Sequence, residues 1–411
     1  MKSKVVMVVD YYPPEVGNRS RRMEEIAKTL VKKGFSVTVV VPDRGLESFV
    51  INNSSNGVAV IRVLPFVGGI LPSMRYLDVE NQSLVFRVFR PFLGYIRWVF
   101  PCIKTLRRLN ARDAILYTPN NPLSLHFIGF LAKPYFFKWL VELRDPIVNY
   151  EVNRFSFWSF IPPLLERLVI RASDRILLRK GIQISASKLK TLYPKYEKKI
   201  FELPDYGLTP EDVDRLLNET SNRAVKDENN RDVILGLYAG NYYSNSTPQT
   251  IIESVVALNE SGVSVALNFY GGWDSGAKKT GKYWRYFGEI PFREIVEKYG
   301  KCDFTILLTA TEEGTEDLFI PSKLIELIIV GKPILVIGVM GTKVGKFVEE
   351  NKIGVACESS KNGIMDGVRE VISMIENEGY DNSLRADIVK EAKENSYLNN
   401  FVKHTIELTS E

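Results

Sequence analysis

Cysteine and histidine are scarce in this sequence. Its 411 residues include three cysteines, far apart at positions 102, 302 and 357, and two histidines, His126 and His404. Cysteines without paired spacing argue against a disulfide framework or a structural zinc site, and they favour a reducing compartment. Two histidines are too few for a multi-histidine metal centre, so we predict no bound metal.

Two signature motifs and a leader segment are also absent. Neither G-x-G-x-x-G nor G-x-x-x-x-G-K-[ST] occurs, which argues against a dinucleotide fingerprint and a P-loop. The first apolar run, Val5–Val9, is too short for a signal peptide and leads directly into Asp10. We therefore expect a cytoplasmic protein without a transmembrane helix.

What the chain does contain is an uneven distribution of charge. Residues 1–210 carry 32 Lys and Arg against 17 Asp and Glu, whereas the remainder carries 22 against 32. This basic first half suggests that it meets an anionic surface or an anionic ligand.

Short apolar runs alternate with helical patterns in two series, separated by the polar stretch Leu208–Asp232. The alternation predicts an α/β protein with two doubly wound parallel sheets, each covered by helices on both faces. Two such domains in tandem are expected to face a cleft, because each binds ligands at the carboxyl ends of its strands. We place the first domain at residues 1–207, the second at 208–384, and a closing helix at 385–411. The predicted strands are Val5–Val9, Phe35–Val41, Val58–Leu64, Ala114–Tyr117, Phe136–Leu143, Arg175–Leu178 and Ile200–Leu203, then Val233–Tyr238, Val263–Tyr270, Phe304–Leu308, Ile334–Ile337 and Gly354–Ala356, with second-series helices at Pro248–Leu258, Pro321–Val330 and Lys343–Glu350.

A shaped loop joins the first strand to the first helix. The loop Tyr11–Arg19 contains paired prolines and a glycine before a helix N-terminus, where backbone N–H groups can bind an anion. The alternative is an ordinary turn, with Arg19, Arg21 and Arg22 solvated on the helix. Both interpretations remain open at this point.

A second anion site is predicted at the start of the helix Pro321–Val330. Proline fits a first helical turn and Ser322 can help to cap it, so the free N–H groups, with Lys323 beside them, form a site for a diphosphate. Glu326 lies one turn further on nearly the same face. Its carboxylate can accept two hydrogen bonds from a ribose diol. The alternative is a Lys–Glu surface pair worth ~0.3–0.5 kcal/mol.

Seven segments, taken in chain order, carry a resemblance to one known family. They are Tyr11–Asn18 with the helix that contains Arg22, Lys33–Val39, Val141–Pro146, Leu165–Arg175, Tyr238–Asn241, Pro321–Pro333 and Ser396–Tyr397. Together they resemble the family 4 nucleotide-sugar glycosyltransferases. Val141–Pro146 is similar to that family's V-x-D-x-R-D strand end, and Glu326 stands five residues before Gly331 as in its donor helix.

The resemblance implies a GT-B architecture, with two Rossmann-like domains and a C-terminal helix that crosses back to the first. It implies a hexosyltransferase-type enzyme that moves a sugar from a nucleoside diphosphate to a glycan or lipid-linked acceptor, with retention and without a metal or other cofactor. Phe287 and Ile290 are assigned by position as contacts to the base. The donor-binding set is Gly17, Asn18, Gly240, Asn241, Phe287, Ile290, Ser322, Lys323 and Glu326, and Arg19, Arg22 and Arg144 are assigned to the acceptor and phosphate side.

Two residues are assigned to catalysis. Asp145 occupies the position where relatives carry an acid or a histidine facing the reacting sugar, so we expect it to orient or deprotonate the acceptor, or to stabilise an oxocarbenium-like centre. Lys323 is expected to neutralise the leaving diphosphate. The alternative for Asp145-Pro146 is the start of a plain turn.

Two positions depart from the family pattern. Leu318 stands where members commonly have a glutamate, and Asn241 stands where many have an arginine. No cation follows within Tyr242–Thr247. The alternative function is therefore a catalytically weakened or inactive GT-B-like binding or scaffold protein.

The stretch Leu84–Leu109 is basic, rich in bulky apolar residues and free of acids. Its cations fall on one side of a helix that Pro91 and Pro101 would interrupt, which is typical of an interfacial membrane element. The alternative is an internal helix pair with outward arginines. Nucleic acid could use the same charge, but no recognised motif supports it. The expected partners are thus a nucleotide sugar, its acceptor and an anionic membrane surface, with membrane contacts at Arg87, Arg90, Arg97, Trp98, Lys104, Arg107 and Arg108.

Overall fold

The structure is a computed structural model of the chain. It describes residues 3–15, 18–43, 52–53, 57–64, 98–119, 123–143, 147, 161–179, 186–203, 208–219, 233–240, 248–272, 280–309, 322–338, 340–377, 379–381, 383–394 and 396–410. The chain divides into two compact units, which are residues 1–204 with 398–411, and residues 205–397.

The first unit is built on an eight-stranded sheet with the order β3-β4-β2-β1-β5-β6-β7-β8. Seven strands run parallel, and the two-residue β3 pairs antiparallel with β4 at the edge. Its elements are β1 (Lys4–Val8), α1 (Asn18–Lys32), β2 (Ser36–Pro42), β3 (Asn52–Asn53), β4 (Val58–Val63), α2 (residues 98–109), β5 (Ala114–Thr118), α3 (Leu123–Ala132), β6 (Lys138–Leu143), α4 (Ile161–Ala172), β7 (Arg175–Arg179), α5 (Ala186–Leu192) and β8 (Ile200–Leu203).

Helices cover both faces of this sheet because its connections run in two directions. The crossover through α1 leads from β1 to β2, whereas the crossovers through α3, α4 and α5 lead the opposite way along the sheet. Right-handed crossovers therefore place α1 on one face and α3 to α5, with α2, on the other. The second face is filled by a cluster of buried apolar side chains that includes Trp98, Leu106, Ile128 and Trp139.

The second unit is built on six parallel strands in the order β11-β10-β9-β12-β13-β14. From β9 the chain first adds β10 and β11 on one side. It then adds β12, β13 and β14 on the other side, so the strand order reverses between β9 and β12. Its elements are α6 (Pro210–Glu219), β9 (Ile234–Ala239), α7 (Pro248–Glu260), β10 (Val265–Tyr270), β11 (Trp284–Tyr286), α8 (Phe292–Gly300), β12 (Phe304–Leu308), α9 (Ser322–Val330), β13 (Ile334–Gly338), α10 (Lys343–Glu350), β14 (Gly354–Glu358), α11 (Lys361–Glu376) and α12 (Ser383–Glu394).

The C-terminal segment, predicted as a closing helix over 385–411, is helical and is divided into two helices. The first, α12, belongs to the second unit, where Arg385 Nε donates to the carbonyl oxygen of Ile329 at 2.9 Å. The second, α13 (Tyr397–Ser410), packs on the first unit, and its Phe401 ring meets Tyr117 edge-on at a centroid distance of 4.9 Å. Of these two helices, α13 is the one that returns to the first unit, where it buries Phe401, Val402 and Leu408.

The twelve predicted strands are all present, with ends within two residues of those expected. The strands that the sequence did not reveal, β3 and β11, are two and three residues long and lack a buried apolar run. Residues 98–109 form one continuous helix through Pro101, so the predicted interruption there is wrong; the fixed φ of proline is itself helical. No helix within the described ranges is long and apolar enough to cross a bilayer.

Candidate functional site

The second unit has a close backbone crossing where β9 and β10 end. The strand order reverses between β9 and β12, and open α/β sheets bind ligands outside the carboxyl ends of strands at such a reversal. Gly240 follows β9, and its N–H donates to the carbonyl oxygen of Tyr270 at 2.9 Å. Gly271 follows β10 with a φ of +123°, and a Cβ there would lie 1.8 Å from the Gly240 carbonyl oxygen. Only glycine allows these two segments to approach so closely.

An exposed aromatic ring lies beside this crossing. Phe287 follows β11, and its ring stacks on Tyr270 with centroids 4.9 Å apart and planes 10° apart. The carbonyl oxygen of Gly288 accepts from the N–H of Gly271 at 2.9 Å, which ties the Phe287 segment to the crossing. Tyr270 is buried, whereas Phe287 is 47% exposed. One face of the Phe287 ring is thus supported by Tyr270, and the other face is available for stacking with a planar base. Ile290 instead packs against the core.

The start of α9 carries two charged side chains in contact. Because α9 follows β12, its N-terminus lies at the same edge of the sheet as Gly240. Lys323 Nζ donates to Glu326 Oε1 at 2.9 Å. Glu326 is only 9% exposed, so the two residues form a half-buried pair rather than the solvated surface pair that was the alternative.

A buried tyrosine under this pair escaped the sequence analysis. Tyr299, near the end of α8, is fully buried, and Lys323 Nζ lies 5.4 Å from the centroid of its ring. The Tyr299 hydroxyl is near enough to Glu326 to interact with it but falls short of a well-formed hydrogen bond. Burial, and then the carboxylate of Glu326, raise the pKa of Tyr299 well above its usual value, so the hydroxyl keeps its proton.

In the first unit, Arg19 presents a cation at the start of α1. Its Nη1 lies 3.4 Å from Oδ2 of the buried Asp10, and its guanidinium lies 6.0 Å from the ring centroid of Tyr11. More than half of the Arg19 side chain is exposed. The position therefore remains consistent with the predicted phosphate side.

Arg22, which was assigned to the same side, is instead largely committed to a buried ion pair. Its Nη2 donates to Glu142 Oε1 at 2.8 Å, and the Tyr117 hydroxyl donates to the other oxygen of Glu142. Glu142, the last residue but one of β6, is 1% exposed, while 11% of the Arg22 side chain is exposed. Through this pair Arg22 fastens α1 to the end region of β6, and its assignment to the acceptor and phosphate side stays a prediction.

Comparison with known proteins gives matches at the level of structure. No family model and no curated protein sequence matches the chain. Sucrose-phosphate synthase from Thermosynechococcus elongatus superposes with a TM-score of 0.62 at 12% identity, over 100% of both chains. Anabaena HepE in complex with UDP-glucose gives 0.54 at 12% identity, over 98% of this chain and 99% of its own. The Candida albicans trehalose-6-phosphate phosphatase N-terminal domain gives 0.64 at 10% identity, over 99% and 97%.

The chain has the GT-B fold. The expected fold class is thereby confirmed, including parallel sheets in both units and a C-terminal helix that returns to the first. Identities this low show the fold alone. Because one fold hosts many activities, the reaction of this GT-B chain has to be argued from its site.

Trp98 of this GT-B chain is a core residue, so its assignment as a membrane contact is wrong. It is 1% exposed and packs in the cluster under α2 to α5. The cluster buries the large, mostly apolar surface of the Trp98 ring, and α2 turns its opposite side outward. Lys104, Arg107 and Arg108 do lie on that outward side, and Arg107 sits 5.5 Å over the ring of Tyr135.

The surface around these cations is also apolar. Large exposed side chains occur on α2, α3 and α4, which share one face of the sheet. They are Phe100, Phe127, Leu131 and Leu164. In the described lengths of these three helices the one acid, Glu166, is buried. We call this surface, from α2 to α4, the basic apolar face.

Other predicted site residues lie outside the described part of the chain. They are Gly17, Asn241, Arg144, Asp145, Arg87, Arg90 and Arg97, together with the side chains of Asn18 and Ser322. Their assignments stay predictions. Among the described residues, no three His, Cys, Asp or Glu side chains cluster as metal ligands.

Proposed function

We propose that this GT-B chain is a retaining glycosyltransferase that takes a sugar from a nucleoside diphosphate. The observation that carries the proposal is the half-buried Lys323–Glu326 pair at the N-terminus of α9, beside the strand reversal of the second unit. A helix N-terminus with a lysine attracts a diphosphate, and a carboxylate one turn later suits a ribose diol. That a similar fold, HepE, was solved with UDP-glucose supports this donor class.

The remaining parts of the donor are assigned to neighbouring residues. Phe287 offers its exposed face to the base, because its other face is already stacked on Tyr270. The crossing of Gly240 and Gly271 leaves backbone without Cβ atoms at the strand ends, where a donor can approach the main chain closely. Asn241, which follows Gly240 in the chain, is proposed to contact the donor as well.

The chemistry follows from the charge that develops when the sugar leaves. The bond between the anomeric carbon and the diphosphate oxygen breaks, and the diphosphate departs with the electron pair. Lys323 and the free N–H groups of α9 stabilise this growing negative charge, which is the task a metal ion performs in other transferases. Asp145 is proposed to orient the acceptor hydroxyl and to accept its proton as the hydroxyl oxygen bonds the anomeric carbon.

Thermal unfolding with UDP-, GDP- and ADP-sugars tests the donor site. A ligand that binds only the folded state at 100 times its Kd stabilises it by about 2.7 kcal/mol. We expect one nucleotide class to raise the melting temperature of the wild type and to lose that effect in Lys323→Gln. Lys361→Gln, which removes an exposed lysine at the start of α11 instead, serves as the matched control. No shift with any nucleotide sugar would overturn the proposal.

A second candidate function is a binding or scaffold protein that has lost turnover. Leu318 and Asn241 favour it, because they replace an acid and a cation that the resembled family commonly has. The two candidates differ in one measurement, the slow release of nucleotide from a bound nucleotide sugar. Release above the uncatalysed rate supports the enzyme, whereas tight binding without release supports the scaffold.

We further propose that the acceptor is lipid-linked or a growing surface glycan, met at an anionic membrane on the cytoplasmic side. The support is the basic apolar face, where exposed cations and large apolar side chains share a surface and the nearest acid on these helices is buried. Such a surface suits anionic headgroups and the interfacial region beneath them. Residues Arg87, Arg90 and Arg97 precede α2 in the chain and would add to the same charge.

A further inference from the structure

In the structure, Lys323 and Glu326 are each other's charged partner, yet the proposed donor requires both of them. A diphosphate draws the Lys323 ammonium toward its own oxygens, and a ribose diol occupies Glu326. The 2.9 Å bond between Nζ and Oε1 then has to weaken. A carboxylate that is 9% exposed is costly to leave with fewer hydrogen bonds, so another donor has to hold it.

Tyr299 is the side chain placed to supply that donor. It is fully buried, and its ring lies 5.4 Å from Lys323 Nζ, within the range of a cation–π contact. Its hydroxyl lies near Glu326 without yet forming a close hydrogen bond. A phenol that keeps its proton has one hydrogen to donate, and Glu326 is the acceptor beside it.

The backbone of Tyr299 is held in place by its own surroundings. Its carbonyl oxygen accepts from the N–H and the Sγ of Cys302 at 3.4 and 3.3 Å. Its ring packs in the cluster that contains Leu324 and Ile328 of α9. These contacts hold the main chain and the ring of Tyr299 against the core beside α9.

We propose that Tyr299 is a positioning residue of the donor site, with its ring under the Lys323 ammonium and its hydroxyl completing a hydrogen bond to Glu326 when the ribose diol binds that carboxylate. Tyr299 acts through Glu326 and does not touch the donor. The inference rests on the proposed function, because it assigns the ribose to Glu326. It predicts that the Tyr299 hydroxyl affects affinity only for ligands that carry a ribose diol.

The test measures binding of two ligands by calorimetry to the full chain. One is the nucleoside diphosphate that the wild type prefers among UDP, GDP and ADP, and the other is its 2′,3′-dideoxy analogue. Tyr299→Phe keeps the ring and removes only the hydroxyl. We expect it to weaken binding of the ribonucleotide about tenfold, the loss of one hydrogen bond to a charged group, and to leave the dideoxy analogue unaffected.

Two further variants separate positioning from general damage. In a Glu326→Gln background, Tyr299→Phe should add little, because the two residues act on one contact. Tyr380→Phe alters another partly buried tyrosine of the same unit, which packs against the same core cluster, and should leave both affinities unchanged. The melting temperature of Tyr299→Phe should stay near that of the wild type.

The outcomes distinguish the inference from the proposal beneath it. Equal losses for the ribonucleotide and its analogue would show a structural role only and overturn the inference, as would full affinity of Tyr299→Phe for the ribonucleotide. In both cases the wild type still binds nucleotides, so the donor site stands. A wild type that binds none of the nucleotides overturns both.

Discussion

At the scale of single residues, the buried carboxylate of Glu142 in the first unit is paired with the guanidinium of Arg22 on α1. We predict that Glu142→Gln lowers the free energy of unfolding by about 3–5 kcal/mol, because the buried Arg22 charge then faces a neutral amide in place of the carboxylate. Urea unfolding measures the loss. Asp113→Asn is the control, since Asp113 pairs with Lys4 at an exposed position and should change nothing measurable. Similar stabilities of the two variants would contradict the burial argument.

The same residues show which contacts the sequence reveals. Lys323 and Glu326 are three residues apart on one helix, so helical geometry alone brought them together. Arg22 and Glu142 are 120 residues apart, and Tyr299 reaches Lys323 from another helix. Such contacts depend on the order of the strands in the sheet, which cannot be read from the local sequence pattern. The sequence therefore predicted the two charges at α9 and missed the tyrosine beneath them.

At the scale of elements, Gly271 decides how the ends of β9 and β10 meet. We predict that Gly271→Ala removes nucleotide binding and lowers the melting temperature, because the new Cβ would lie 1.8 Å from the Gly240 carbonyl oxygen. Gly262→Ala is the matched control. Gly262 also has a positive φ, +94°, but has open space around it, so only backbone strain of about 1–2 kcal/mol is expected. If both variants bind nucleotide equally well, the crossing is not part of the site.

The attachment of α13 to the first unit is predicted to weaken in acid. His404 Nδ1 lies 3.0 Å from Nη1 of Arg175, which also donates to Glu407 at 2.7 Å. Burial, and then the Arg175 charge, lower the pKa of His404, while Glu407 opposes them. Burial lowers the pKa of His126 to about 3. Both histidines thus bind protons more readily in the unfolded chain, and the stability that they contribute is lost as the pH falls below 6.5.

We predict that the free energy of unfolding falls between pH 7.5 and 5.5, with about 1.4 kcal/mol from His126 alone. Urea unfolding across this range measures the fall. The chain has only these two histidines, so the assignment is direct. His404→Gln should reduce the fall, and an unchanged slope in this variant would show that α13 is insensitive to the histidine.

Strands and helices could be predicted from the sequence where burial requires apolar residues at regular positions. Each central strand is a continuous apolar run because helices cover both of its faces, and such runs stand out in the sequence. The edge strand β11 is partly exposed and carries Arg285, so it has no such pattern. α11 was missed because Gly363 and Gly367 weaken its helical pattern, although Ser360 caps its start by accepting from the N–H of Gly363.

At the scale of the whole molecule, the charge of the chain is divided between its two halves, with the excess of cations in the first. Lys104, Arg107 and Arg108 show where part of that excess lies, because all three point outward from α2. The sequence pattern correctly predicted that these cations are exposed, but it wrongly placed Trp98 on the same surface. A row of cations along a helix does not indicate which aromatic side chain faces the core. Burial of Trp98 leaves Phe100, on the outward side, as the aromatic contact of α2.

Vesicle flotation tests whether this face meets a membrane. Each Lys or Arg near an anionic surface contributes about 1 kcal/mol, so replacing Lys104, Arg107 and Arg108 together with glutamine should weaken binding to vesicles that contain phosphatidylglycerol by more than a hundredfold. Vesicles of phosphatidylcholine alone should bind the wild type weakly, and added salt should release it from the anionic ones. The matched control replaces three exposed lysines of the second unit, at positions 301, 346 and 361.

The control separates a local surface from a general effect of net charge, because both triple variants lose three positive charges. Equal losses of binding would show that only net charge matters and would contradict a dedicated face. A change of oligomeric state in the α2 variant, without a change in flotation, would instead make this surface a contact between proteins. Phe100→Ser gives a second test that does not depend on charge. If the Phe100 ring inserts into the interfacial region, its removal should weaken vesicle binding even at high salt, because the contribution of the ring is apolar and is not screened.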